Sequence, residues 1–194
     1  MINRERFFTP TRMRVFGGIL RQSQVDGMTA LLNEWEARYP NGDPRWLAYE
    51  LATTTWETAH TMQPIEEYGR GVGQPYGRPD PVTGKAYYGR GFVQLTWKSN
   101  YQKMSGVVGV DLVTHPERAL EPAIAAAILF EGMEHGDFTG VGLPRYFNAT
   151  TENWNGARAI INGDADADHN GIADSVDIGT LGKTYFDILK GAGA

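Results

Sequence analysis

Asp43-Pro44-Arg45-Trp46-Leu47-Ala48-Tyr49-Glu50-Leu51-Ala52-Thr53-Thr54-Thr55-Trp56-Glu57-Thr58 reads as a helix whose start is marked by two adjacent residues. Asp43 offers a side-chain cap for free amide groups, and Pro44 suits a first turn that has no use for its missing N–H. Leu47, Leu51, Thr54 and Thr58 then recur in steps of three and four, which lines them up as one buried stripe. Pro64 interrupts the period, so the helix is predicted to end before it.

The same signals continue outward from this helix. Upstream, Val25, Met28, Leu31, Leu32 and Trp35 keep helical spacing behind Ser23, which is expected to act as the N-cap. Downstream, helices are predicted after Pro122 (Ile124, Ala127, Ile128, Phe130), over Trp154, Ala157, Ile160 and Ile161 up to Gly163, and over Leu181, Tyr185, Ile188 and Leu189. Residues 69–91 differ: glycines 69, 71, 73, 77, 84, 89 and 91 lie among prolines and tyrosines, the composition of a loop or a short β-hairpin. Long ordered loops in compact domains tend to carry function. With neither repeat nor linker, the expectation is one mainly α domain across residues 1–194.

Composition narrows the function classes. Of 194 residues, 41% are hydrophobic and 21% charged, which is ordinary for a globular chain. A net charge of −5 disfavours nucleic acid and anionic lipid as partners. Arg4, Arg6, Arg12, Arg14 and Arg21 form a local basic strip, read as a solvated helix face or arm. The absence of cysteine excludes a thiol nucleophile, thiolate zinc sites and disulfides. There is no G-x-S-x-G for a serine hydrolase, and the glycines at 69–73 lack the G-K-[ST] of a phosphate loop. The mixed-charge N-terminus is a poor signal peptide and no apolar run is long enough to span a bilayer. The expectation is therefore a protein made and kept in the cytoplasm, without stable membrane association, unless another protein releases it.

Glu57 sits among small, hydroxylated and aromatic neighbours, with no basic residue close in sequence. A carboxyl group against an aromatic wall suits a general acid. Glu66 and Glu67 follow the Pro64 break, and two carboxyl groups facing across a cleft are the usual equipment for cleaving a glycosidic bond. Paired glutamates are also common on solvated surfaces, so these residues alone leave both readings open.

Gly89-Arg90-Gly91-Phe92-Val93-Gln94-Leu95-Thr96-Trp97-Lys98-Ser99-Asn100-Tyr101 is more specific. It resembles the G-R-G-[FY]-[IV]-Q-L-[ST]-x-x-x-N-Y signature of glycoside hydrolase family 19, which comprises chitinases and phage endolysins. Trp56-Glu57-Thr58-Ala59 resembles the family's H-E-T segment, and Met62-Gln63-Pro64-Ile65-Glu66-Glu67-Tyr68-Gly69 resembles its endolysin branch. Ile160-Ile161-Asn162-Gly163 matches a late I-N-G segment. The resemblance implies a lysozyme-like, chitinase-like helical fold. It implies Glu57 as general acid, Glu67 as general base with Glu66 as the alternative, and Thr96 as a holder of the attacking water. Gln94, Asn100 and Asn162 stand at sugar-binding positions, and Tyr88, Phe92 and Trp97 offer aromatic faces or packing. Inversion at the anomeric carbon is implied, with roughly 6.5–9.5 Å between the carboxylates. The chain departs from the pattern in having Trp56 where histidine is usual, and the family's arginine downstream of I-N-G has no counterpart.

Asp166, Asp168, Asn170, Asp174 and Asp177 occupy positions 1, 3, 5, 9 and 12 of a twelve-residue loop, with Gly171 at position 6 and the Ile172 carbonyl at position 7. This is the spacing of an EF-hand-like calcium loop, expected here as a structural clip holding Ca²⁺. A solvated acidic loop with Asx turns is the alternative.

The leading functional expectation is a monomeric endolysin that hydrolyses the MurNAc–GlcNAc backbone of peptidoglycan, released to the periplasm and cell wall through a separate pore-forming, holin-like protein. A chitinase, a lytic transglycosylase and a catalytically dead glycan-binding module are the alternatives.

Overall fold

The computed structural model describes residues 1–162 and 170–194. Helices α1 (Arg4–Arg14), α2 (Gln22–Arg38) and α3 (Pro44–Glu57) come first, followed by short strands β1 (Ile65–Glu66) and β2 (Arg90–Gly91). Then come α4 (Lys98–Val108), α5 (Pro122–His135), the four-residue α6 (Leu143–Tyr146) and α7 (Asp174–Ala192). The fold is mainly α, as expected.

Asp43 caps α3 as predicted, its side chain accepting from the Arg45 amide at 3.0 Å. Leu47, Leu51, Thr54 and Thr58 are all fully buried. Polar threonines survive there partly by bonding backward along the helix. Thr58 Oγ1 donates to the Thr54 carbonyl at 2.6 Å and Thr55 Oγ1 to that of Leu51 at 2.7 Å. α3 lies along α7, and α1 also packs on α7, with Tyr185 touching both Thr55 and Phe7. α5 is buried from Ala125 through Phe130 without a break, so it has no solvent stripe and serves as the central post. α2 and α4 both pack on it.

Two helix readings change. The N-cap of α2 is Arg21 rather than Ser23, because the Gln24 side chain reaches back and accepts the Arg21 amide at 2.8 Å. The other Gln24 amide atom donates to the His60 carbonyl at 2.8 Å, fixing the start of α2 to the chain leaving α3. Over residues 154–161 the structure forms a single 3₁₀ turn, Gly156–Ile160, instead of an α-helix. Asn153 Oδ1 accepts the Gly156 amide at 2.9 Å and starts this tight turn.

The glycine-rich region is a loop clasped by an antiparallel strand pair, with Ile65 opposite Gly91 and Glu66 opposite Arg90. Gly91 has φ +87°, and a Cβ there would stand 2.9 Å from the Ala119 carbonyl oxygen. Only glycine serves both needs. At Gly27 of α2 a Cβ would overlap the Met62 carbonyl at 1.6 Å, so the segment after Glu57 lies directly on the helix backbone.

Candidate active site

A cleft of about 370 Å³ opens between the end of α3, the β2–α4 segment and the turn before residue 162. Glu57, Gln94, Thr96, Asn100 and Asn162 all line it, together with Tyr76, Trp97 and Phe138. The residues expected to surround a sugar thus meet in one place, although their sequence positions span more than half the chain.

Glu57 ends α3. The chain then turns sharply away through Ala59 and His60, both with positive φ, which leaves the carboxylate at the rim of the helix end. Its partner was not legible locally. Arg158 Nη1 donates to Glu57 Oε1 at 2.7 Å, and Arg158 Nη2 lies 3.7 Å from Asp174 Oδ2. No basic residue is close to Glu57 in sequence, yet in the fold a buried guanidinium contacts it. The 3₁₀ turn of residues 156–160 delivers Arg158 from 101 positions away, a separation that no local pattern marks.

The two following glutamates part company because successive side chains along an extended segment point to opposite sides. Glu66 Oε1 accepts from the Tyr88 hydroxyl at 2.7 Å, and Glu66 is ion-paired with Arg70 at 2.8 Å and Arg90 at 3.6 Å. The Tyr88 hydrogen bond, with the Arg70 and Arg90 charges behind it, holds the Glu66 carboxyl below its ordinary range. Glu67 instead accepts from the Gly89 amide at 3.0 Å and from the hydroxyl of Tyr76, a cleft residue, at 3.1 Å. The structure therefore places Glu67 beside the cleft and Glu66 in a charged cluster behind it. Tyr88, for which an aromatic face or packing was open, is buried and hydrogen-bonded to Glu66, with the Arg90 guanidinium 3.6 Å from its ring centre, and it is not among the residues that line this cleft.

The G-R-G…N-Y run becomes physically intelligible here. Arg90 Nη1 donates to the Tyr101 hydroxyl at 3.0 Å, and that hydroxyl donates to the Tyr88 carbonyl at 2.8 Å, so the two ends of the run clasp each other. Asn100 Nδ2 donates to the Thr96 carbonyl at 2.9 Å, and Thr96 Oγ1 to the Gln94 carbonyl at 2.7 Å. Gln94 Nε2 donates to the carbonyls of Ile65 and Gly91 at 3.1 and 3.2 Å. Gln94 and Trp97 both have positive φ, a strained arrangement that surrounding bonds must hold and that recurs at functional sites. Phe92 is fully buried, whereas Trp97 is 48% exposed at the cleft.

Of the expected calcium ligands, Asp166 and Asp168 lie outside the described residues. Asn170 Oδ1 accepts the Ile172 amide at 2.7 Å and its Nδ2 donates to Asp177 at 3.1 Å. Asp174 is buried beside Arg158. Among the described residues, which include neither Asp166 nor Asp168, no group of three or more acidic or histidine side chains is arranged to hold a metal.

A helix-rich fold with one carboxylate in a polar, aromatic-edged cleft and a second beside it defines the glycoside hydrolase class. Comparison supplies a family likeness. Residues 56–135 match the model of glycoside hydrolase family 19, described as Chitinase class I. Endochitinase B from Zea mays is 35% identical over 118 residues, which span 58% of this chain and 41% of the maize protein. Endochitinase A2 from Pisum sativum is 43% identical over 45 residues, 23% of this chain and 14% of the pea protein. The matched stretches thus cover less than half of these plant relatives. In three dimensions the whole chain superposes on 77% of chitinase C from Streptomyces griseus HUT6037, with a TM-score of 0.61 at 22% identity. It also superposes on 95% of another bacterial family 19 chitinase, with a TM-score of 0.59 at 21% identity. These two establish the shared fold.

Proposed function

We propose that this protein hydrolyses the β-1,4 MurNAc–GlcNAc backbone of peptidoglycan, with Glu57 as general acid and Glu67 as general base. The observation that carries the reading is the meeting of Glu57, Gln94, Thr96, Asn100 and Asn162 in one cleft, with Glu67 hydrogen-bonded to the cleft residue Tyr76. In the reaction, Glu57 protonates the departing glycosidic oxygen while Glu67 takes a proton from a water that attacks the opposite face of the sugar. Thr96 lies in the cleft to orient that water, and inversion of the anomeric centre follows. Arg158 holds the Glu57 carboxyl group in one position by a hydrogen bond to Oε1, so that Oε2 is the oxygen that carries and delivers the proton. The wall glycan is preferred as substrate because the M-Q-P-I-E-E-Y-G segment, with its second glutamate ten residues after Glu57, resembles the endolysin branch.

Chitin is the second reading, favoured by the naming of the plant relatives and structural neighbours as chitinases. Digestion of purified peptidoglycan beside colloidal chitin, with products read by mass spectrometry, separates the two. Reducing muropeptides with chitin untouched are expected, and Glu57→Gln is expected to abolish them while the protein stays folded. Anhydro ends, chitin oligomers alone, or activity retained by Glu57→Gln would each overturn the reading.

A further inference from the structure

Beyond Tyr76 and Trp97 the cleft continues into a second pocket of about 340 Å³. Those two rings meet edge to face at 5.1 Å and form the wall shared by both cavities. Arg78, Asp80 and Lys98 line the far side with Pro75, Pro79 and Pro81. Asp80 is already committed, because it accepts Lys98 Nζ at 2.8 Å and the amides of Val82 and Thr83 at 3.1 and 2.9 Å. Arg78 is different. It is exposed, and among the described residues its guanidinium has neither a carboxylate partner nor a hydrogen bond. Its backbone is nevertheless fixed: Pro79 follows it and confines it to the extended conformation seen, φ −81° and ψ 143°. The Arg78 amide also donates to the Pro75 carbonyl at 3.2 Å. An unpaired guanidinium on a fixed stretch of backbone, next to a mutually neutralised Lys98–Asp80 pair, leaves this pocket with one net positive charge on a chain whose total is −5.

We propose that this pocket is a subsite for a carboxylate carried by the glycan, read by Arg78 while the sugar bearing it rests on Trp97. The proposal deepens the peptidoglycan reading and rests on it for the identity of the glycan. Peptidoglycan carries carboxylates on its peptide stems, and on the lactyl ethers of those sugars from which the stem has been removed; chitin carries none. A guanidinium fork matches a carboxylate with two parallel hydrogen bonds, and a neutral acetamido sugar gives it no such partner. The subsite would therefore select wall glycan over chitin outside the acid/base machinery itself.

The test uses Glu57→Gln protein, so that ligands are bound and not consumed, titrated calorimetrically at low salt. Three probes are compared: chitotetraose, a GlcNAc–MurNAc tetrasaccharide with free lactyl carboxylates, and the same tetrasaccharide bearing peptide stems. At least one acidic probe is expected to bind about three- to five-fold tighter than chitotetraose, the size of an exposed ion pair, with the ratio shrinking as salt is added. The probe that shows the preference identifies which carboxylate is read. Adding Arg78→Gln is expected to bring the ratio to one, with the melting temperature as the check on folding. Absence of any preference in the parent protein, or a preference that survives Arg78→Gln, overturns the subsite. Product analysis decides the wall-degrading reading separately: a protein that cuts only chitin refutes that reading, and the affinity ratio still decides Arg78.

Discussion

Replacing Arg158 by methionine keeps much of its length and removes its charge. In the folded protein its side chain is 8% exposed and stands between Glu57, 17% exposed, and Asp174, 2% exposed, at 2.7 and 3.7 Å. Removing one member of a buried ionic group leaves the others as uncompensated charge, which costs about 3–5 kcal/mol. Glu57 faces the cleft and can recruit water, so most of that cost falls on Asp174 and the lower end of the range applies. For a domain of this size each kcal/mol lowers the melting temperature by roughly 2–4 °C, giving an expected fall of about 10 °C. Calorimetric melting of the wild type, Arg158→Met, Asp174→Asn and the double variant measures it. Because Asn carries no charge to strand, the double variant should be more stable than the two single losses added together, by about 1–3 kcal/mol. A fall under about 2 °C for Arg158→Met, or strict additivity in the cycle, would refute the idea that this ionic group holds the end of α3 to the start of α7.

The two neighbouring glutamates should separate by phenotype: Glu67→Gln is expected to lower kcat by at least about a hundredfold, in the range typical of losing a general base, whereas Glu66→Gln leaves the acid/base pair intact and chiefly lowers stability. Equal losses of kcat, or the reverse order, would move the base to Glu66. The Glu66 carboxyl is held below its ordinary range in the fold, so its contribution is present above the unfolded value near 4.5 and is lost as pH falls through the lower folded value. The melting-temperature gap between wild type and Glu66→Gln should accordingly be widest near pH 7 and close on acidification; a gap that widens toward pH 3 contradicts this. A structural calcium ion in the 166–177 loop is a separate proposal resting on the spacing of its oxygen residues. On that view chelation lowers the melting temperature, and an unchanged curve with no metal in the purified protein refutes it.

Much of the helical framework was legible because its causes are local. Asp43 and Pro44 mark a helix start whatever the rest of the chain does, and the 3.6-residue period of Leu47, Leu51, Thr54 and Thr58 names the face that must be buried. The run from Gly89 to Tyr101 carried a family resemblance, and its bonds, Arg90 to Tyr101 and Asn100 to Thr96, close within a dozen residues. Local signals misled where a distant group competed. Gln24 bonds both Arg21 and His60, moving the N-cap from Ser23. For Tyr88 an aromatic face and packing were both open from the sequence, and its contacts in the fold are with Arg90 and Glu66.

The sequence by itself therefore named candidates for acid, base and sugar ligands, through a family resemblance carried by short motifs. Only the tertiary structure decided how they are used. It brought Arg158 to Glu57 across 101 positions, turned Glu67 toward Tyr76 while Glu66 went to Arg70 and Arg90, and set Asp174 against a cation. Each of these is a long-range electrostatic pairing, and its partner is chosen by how α3, α7 and the loop between the strands pack, which no local pattern along the chain encodes.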